Sequence, residues 1–159
     1  MIAMSLAHRA QQRALSLTRR LDGVAPLLAR LTVGLVFAGS GWGKLHHLDK
    51  VTAFFTDLGL PLPHFQATLV GTTGLVGGAL LVVGLASRLA ALPLMVTMVV
   101  ALLTAKRADI SGASDLFGVV EWTYLVLLAW IALSGPGRLS LDGLLHGRTP
   151  HRAPTLATA

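Results

Sequence analysis

The chain has 159 residues, of which 53% are hydrophobic and only 13% are charged. About a quarter of the residues of a soluble domain are charged, because its surface must be hydrated. The composition, with 17 glycines and no cysteine, excludes a disordered chain, a disulfide scaffold, a thiolate catalyst and most soluble enzymes. The 13 basic residues outnumber the 7 acidic ones but form no run interleaved with aromatics, so no nucleic-acid partner is predicted. The expected environment is a lipid bilayer.

Residues 1–23 alternate Ala and Leu with Arg and Gln, a pattern typical of a basic amphipathic helix on a membrane surface. Arg9 and Arg13 interrupt the apolar core that a cleaved signal peptide needs, so no cleavage is expected. At the other end, residues 147–159 are rich in Pro, Thr and Ala and are predicted to form a disordered tail.

Four apolar stretches lie between these ends, at residues 24–44, 65–85, 89–105 and 116–134. Each approaches the roughly 20 residues with which a helix crosses a ~30 Å hydrocarbon layer. Backbone amides in lipid must pair within their own segment, which favours helices over strands. The sequence therefore predicts an all-α membrane domain over residues 24–146: a four-helix transmembrane bundle, with an amphipathic outer segment at 46–63.

The basic residues predict the orientation of this multi-pass protein in the plasma membrane. Nine of them belong to one side of the membrane and four to the other. The nine are Arg9, Arg13, Arg19, Arg20, Arg30, Arg88, Arg138, Arg148 and Arg152. The four are Lys44, Lys50, Lys106 and Arg107. Because the side with more basic residues faces the cytoplasm, both termini are predicted to be cytoplasmic.

Small residues recur at helical spacing in the first two stretches. The first contains Arg30, Gly34, Phe37, Gly41 and Lys44 at intervals of 4, 3, 4 and 3, which places them on one stripe of one helix. The second contains a further small-residue face at Gly71, Gly74, Gly77 and Gly78. Glycines on a membrane helix let another backbone approach closely, so both faces are predicted to pack helices together.

These motifs resemble the DoxX family of membrane proteins. The resemblance runs from the Arg30 to Lys44 stripe through Gly77-Gly78-Ala79-Leu80-Leu81 and Arg88-Leu89-Ala90-Ala91, and it ends with Glu121 and Gly135-Pro136-Gly137-Arg138-Leu139-Ser140-Leu141-Asp142. The family commonly has a Glu three residues before the paired glycines, where this chain has Gly74.

The resemblance implies a four-helix bundle associated with redox chemistry, since relatives include a membrane subunit of a thiosulfate:quinone oxidoreductase. Two classes of function stay open. One is a membrane component of a quinone-linked redox system, which binds a quinone or anchors a catalytic partner subunit. The other is a non-enzymatic scaffold, assembly factor or small transporter, and a homo-oligomer is compatible with both.

The ionisable residues of the stretches predict two structural ion pairs. Arg30 lies about 9 Å inside the cytoplasmic end of its span and can meet Asp142, which follows the fourth stretch on the same side. Lys44 lies about 21 Å further along and is the predicted partner of Glu121, which enters from the outer side.

A ligand site, if there is one, is expected in the outer half of the bundle between the first and fourth helices. This region combines Lys44 and Glu121 with the aromatic residues Trp42, Trp122 and Tyr124. A quinone could stack its ring there and accept hydrogen bonds from Lys44 or a protonated Glu121. An interfacial aromatic belt without a ligand is the alternative. His46, His47 and His64 lack the spacing of a helical metal site, so neither a metal nor an intrinsic cofactor is predicted.

Overall fold

The computed structural model describes residues 24–107, 110, 112–135, 137 and 140–142. Within them the chain is all-helical, as predicted, with α1 Val24–His46, α2 Leu48–Asp57, α3 Pro63–Val83, α4 Ser87–Leu103, α5 Ala113–Gly118 and α6 Val120–Ser134. The surface helix predicted for residues 1–23 and the tail predicted for 147–159 lie outside the described residues.

Two of the helices have the length and hydropathy of a membrane span. They are α1, with 23 residues, and α3, with 21 residues, which makes them about 34 and 32 Å long at 1.5 Å per residue. The other two apolar helices, α4 and α6, have 17 and 15 residues. The helices α1, α3 and α4 begin and end within two residues of the stretches predicted from hydropathy.

The fourth apolar stretch is not one continuous helix, contrary to the boundary at residue 116 predicted from hydropathy. Val119 has extended backbone, with φ −81° and ψ 136°, and separates α5 from α6. Gly118 and the two β-branched valines after it have low helix propensity, so this junction is the weakest point of the apolar run. The helix that packs in the bundle therefore begins at Val120.

The amphipathic segment predicted at 46–63 contains α2, which His47 separates from α1. The chain leaves α2 through Leu58 and Gly59, and Gly59 has φ +69°, a conformation that glycine adopts readily. Pro63 then opens α3, a position that suits a residue without a backbone N–H. The short helix α2 packs against α3.

The helices pack in an antiparallel order that follows the chain. The most extensive interface joins α1 to α3, and further interfaces join α3 to α4, α4 to α6 and α6 to α1. The buried core takes one or more large side chains from each of these four helices, among them Val33, Leu81, Leu94, Leu128 and Ile131. At one end of the bundle α1 and α4 end while α3 and α6 begin, and the candidate site lies there.

A candidate ligand cavity beside a glycine seam

The predicted glycine faces lie at the interface between α1 and α3, with one exception. A β-carbon added to Gly34 would lie 2.8 Å from the carbonyl oxygen of Gly78, and one added to Gly41 would lie 2.6 Å from that of Gly71. A β-carbon on Gly74 would lie 3.2 Å from the carbonyl oxygen of Phe37. These approaches are possible only without side chains, so the two backbones are in direct contact.

Gly77 is the exception, because its α-carbon faces the next helix of the chain. A β-carbon there would lie 3.1 Å from Cγ of Leu94 on α4. The paired glycines Gly77 and Gly78 thus let α3 approach α4 and α1 at the same level of the bundle.

We call the close contact of α1 and α3 at Gly34, Gly41, Gly74 and Gly78 the glycine seam. It borders a cavity of about 300 Å³ at the end of the bundle where α1 ends and α6 begins. Gly41 and Gly74 are part of its wall, and α2, α4 and α6 contribute the remaining sides. The lining is mainly apolar and includes Phe37, Phe54, Phe55 and Met98. Pockets of this size and character suit a small ring system with a few polar substituents.

Three of the five predicted ligand-site residues line this cavity: Lys44, Glu121 and Tyr124. The Tyr124 ring meets Phe37 edge-on, with 5.9 Å between the ring centroids, so these two rings join α6 to α1. Lys44 donates a hydrogen bond from Nζ to the Ser40 hydroxyl one turn earlier in its own helix.

The Glu121 carboxyl group is the distinctive polar feature of the cavity. Its Oε2 is buried and makes no hydrogen bond. Other polar side chains of the lining bond to nearby backbone instead: Thr97 and Thr104 each donate to a carbonyl of their own helix at 2.7 Å, and Gln66 donates to the Pro61 carbonyl at 2.6 Å. A buried oxygen without a partner costs free energy, and a ligand that donates a hydrogen bond to it would offset that cost.

The two predicted tryptophans do not line the cavity. Trp42 is 57% exposed and its indole lies against the His46 ring, with 4.1 Å between centroids. Trp122 packs edge-on against Phe117 and borders a separate outer groove. The aromatic surface of the cavity comes instead from Phe37, Tyr124 and the two phenylalanines of α2, whose role the sequence did not indicate.

The predicted Lys44–Glu121 ion pair stays a prediction. The structure brings the two residues to the same cavity, but the hydrogen bond of Lys44 goes to Ser40 and Glu121 Oε2 makes none.

Arg30 and Asp142 lie together at the opposite end of the bundle. Arg30 is only 1% exposed, and its guanidinium packs against Gly84, where an added β-carbon would lie 2.7 Å from Nη2. The Asp142 carboxylate attracts this guanidinium electrostatically and accepts the backbone N–H of Ser87. The predicted partners are therefore neighbours, at the turn between α3 and α4. Among the described residues, no three His, Asp or Glu side chains lie close enough to share a metal ion.

Comparison with known proteins identifies relatives of this chain. The chain is 35% identical over 130 residues to "Uncharacterized membrane protein Rv3486" of Mycobacterium tuberculosis, covering 75% of this chain and 80% of the relative. It is 32% identical over 121 residues to "Putative oxidoreductase CatD" of Bacillus subtilis, covering 75% and 85%. It is 28% identical over 121 residues to "Inner membrane protein YphA" of Escherichia coli, covering 73% and 86%.

No solved structure gives a significant match. The DoxX family profile matches residues 25–107, a range that contains the glycine seam, Arg30 and Lys44. The chain therefore belongs to the DoxX family of membrane proteins.

Proposed function

We propose that this protein crosses the plasma membrane four times and binds a quinone in the cavity beside the glycine seam, as the membrane component of a redox system. The observation that carries the proposal is Glu121, which lines an aromatic-walled cavity and whose buried carboxyl oxygen Oε2 makes no hydrogen bond. The oxidoreductase in the name of CatD supports a redox context for the family.

The cavity offers complementary groups for both oxidation states of such a ligand. The edge-to-face pair of Phe37 and Tyr124 provides aromatic surface for a quinone ring. The Lys44 ammonium can donate a hydrogen bond to a quinone oxygen if it leaves Ser40, and the Tyr124 hydroxyl is a second donor. The Glu121 carboxyl group can accept the O–H that a quinol presents. Quinone chemistry supplies the two-electron change, while these side chains orient the ring and hold the proton.

The chain itself holds no electron donor that the sequence can identify. It contains no cysteine and thus no dithiol. The family's common glutamate is replaced by Gly74, which lies in the cavity wall against Gly41. The proposed chemistry therefore uses one carboxyl group, Glu121, and takes its electrons from a partner subunit.

Equilibrium dialysis of the protein in lipid nanodiscs against a short-chain quinone tests the proposal, with empty nanodiscs as the reference for partitioning. Direct binding is preferable to tryptophan fluorescence, since Trp42 and Trp122 lie outside the cavity. Lys44→Met should weaken binding of the quinone, and Glu121→Gln should weaken binding of the corresponding quinol, dialysed under reducing conditions. Each loss should be about tenfold or more, as expected for losing a hydrogen bond to a charged group.

The matched control is Lys50→Met on α2, because Lys50 is exposed and does not line the cavity. This variant should bind like the unmodified protein. Uptake no greater than in empty nanodiscs would contradict the proposal and favour a scaffold, an assembly factor or a small transporter. Equal weakening by Lys50→Met would show that binding depends on surface charge rather than on the cavity.

A further inference from the structure

The cavity has an apolar rim that is exposed on the outside of the bundle. Five described residues both line it and are exposed. Four are apolar, namely Val36 at 41%, Phe54 at 51%, Val100 at 39% and Val120 at 52%, and the fifth is Ser40. The cavity is not fully enclosed, and exposed lining residues mark where its wall is thin or open. The exposed lining residues are therefore mainly apolar, with one hydroxyl, that of Ser40, and no exposed charged side chain.

The position of Val36 shows how deep this exposed rim reaches. Val36 is the thirteenth of the 23 residues of α1, which places it about 18 Å from one end of the helix and 15 Å from the other. The midpoint of a helix that crosses a bilayer lies in the hydrocarbon layer. An exposed valine at that level contacts lipid chains rather than water.

The contacts between α1 and α6 favour this pair of helices as the place of an opening. The rings of Phe37 and Tyr124 join the two helices. Nearer the end of the bundle, Lys44 turns back to Ser40 of its own helix, and Glu121 Oε2 makes no hydrogen bond. Neither the Lys44 ammonium nor Glu121 Oε2 therefore forms a hydrogen bond across the two helices, and Val36 of α1 and Val120 of α6 are their exposed apolar lining residues.

We infer that the cavity is entered sideways from the lipid phase, through the opening between α1 and α6. Its ligand is then a membrane-dissolved amphiphile whose polar head lies near Lys44 and Glu121 and whose apolar tail leaves past Val36 and Val120. The identity of the ligand as a quinone rests on the proposed function, whereas the lateral opening does not.

The opening can be tested without any quinone, by quenching of a tryptophan placed inside the cavity. The protein carries Tyr124→Trp after Trp42, Trp122 and Trp130 are each changed to Phe, and it is reconstituted with phospholipids brominated near the middle of their acyl chains. Brominated lipid should quench the cavity tryptophan strongly, and aqueous iodide should quench it weakly. Met98→Trp in the same background is a second reporter, since Met98 also lines the cavity.

Variants at the rim then locate the route. Val36→Phe combined with Val120→Phe should remove more than half of the quenching by brominated lipid, because the larger side chains fill the gap. The matched control is Val126→Phe, on the same helix as Val120, 49% exposed and outside the cavity; it should change nothing. Strong quenching by iodide, or quenching by lipid that the rim variants leave unchanged, would overturn lateral entry.

A second experiment, with two quinones, distinguishes this inference from the proposed function. After correction for partitioning, a quinone with an isoprenoid tail should bind more tightly than the same ring without one, and the rim variants should abolish the difference. If neither quinone binds while lipid quenching persists, the proposed function fails and the opening stands. If both bind equally and the reporter is quenched by iodide, the site stands and the lateral opening is wrong.

Discussion

Asp142 accepts the backbone N–H of Ser87 through Oδ2 at 3.3 Å, although 55 residues separate the two in the chain. Ser87 is the first residue of α4, where backbone N–H groups have no partner within the helix. A carboxylate at this position also interacts favourably with the helix dipole. The backbone N–H of Asp142 in turn donates to the Gly84 carbonyl at 3.1 Å, so the segment after α6 is fixed to the turn between α3 and α4.

We expect Asp142→Ala to lower the free energy of unfolding markedly. The substitution removes the cap on α4, which is worth about 1 kcal/mol. It also removes the carboxylate that attracts the guanidinium of Arg30, which is 1% exposed. Breaking a fully buried pair costs about 3–5 kcal/mol, which is an upper bound here because Asp142 is only half-buried. Thermal unfolding in detergent, followed by circular dichroism, measures the effect.

The matched control is Asp57→Asn, at the exposed end of α2, which should stay within about 0.5 kcal/mol of the unmodified protein. Combining Arg30→Met with Asp142→Ala should cost less than the sum of the two single losses. Strict additivity would mean that the two side chains do not interact.

Hydropathy and spacing were sufficient to predict the framework of this fold. The apolar helices α1, α3 and α4 follow the apolar stretches, and the 4-3-4-3 interval identified a stripe on α1 whose glycines contact α3. The break at Val119 was missed because hydropathy averages over a window, whereas a helix ends where local backbone preferences change. Gly118 and the two valines after it have low helix propensity, and this local property indicates the break.

The aromatic walls of the cavity were missed for a geometric reason. Closeness in sequence to Lys44 favours Trp42 as a site residue. Two residues along a helix, however, rotate the side-chain direction about the helix axis by about 200°, so Trp42 points away from Lys44. Phe37 is seven residues before Lys44, almost two full turns, and therefore lies on the same face. Helical spacing alone could have favoured Phe37 over Trp42. The contribution of Phe54 and Phe55 could not be predicted, since it depends on how α2 packs on α3.

Gly41→Ala should destabilise the bundle. The added methyl group would overlap the backbone of α3, with the Gly71 carbonyl oxygen only 2.6 Å away, and α1 and α3 would have to separate. Overpacking of this kind costs about 1–3 kcal/mol. The midpoint of thermal unfolding should fall accordingly.

Two glycines of the same helix provide the matched controls. A β-carbon on Gly39 or Gly43 would meet nothing within 4 Å. Gly39→Ala and Gly43→Ala should therefore be neutral or stabilise the protein by up to about 1 kcal/mol, because alanine favours the helix. Equal destabilisation by all three substitutions would show that the seam is not a site of close backbone contact.

We also expect Lys44 and Glu121 to be coupled energetically across α1 and α6. They line one cavity of about 300 Å³, and opposite charges attract each other more strongly where water is scarce than in bulk water. In a double-mutant cycle of Lys44→Met and Glu121→Gln, the double variant should lose less stability than the sum of the single variants. A parallel cycle of Lys50→Met with Glu121→Gln should be additive. Additive losses in the first cycle would mean that the two groups act independently.

The last prediction concerns the orientation in the membrane. His47 lies at the exposed junction of α1 and α2, and Arg88 lies exposed near the start of α4, at the opposite end of the bundle. The excess of basic residues on the Arg88 side predicts that this end is cytoplasmic, together with both termini. Because the chain has no cysteine, His47→Cys and Arg88→Cys each introduce a single thiol. In intact cells an impermeant maleimide should label position 47 but not position 88, and after permeabilisation it should label both. Labelling of position 88 alone in intact cells would reverse the orientation, and labelling of both would show that the two positions do not lie on opposite sides of the membrane.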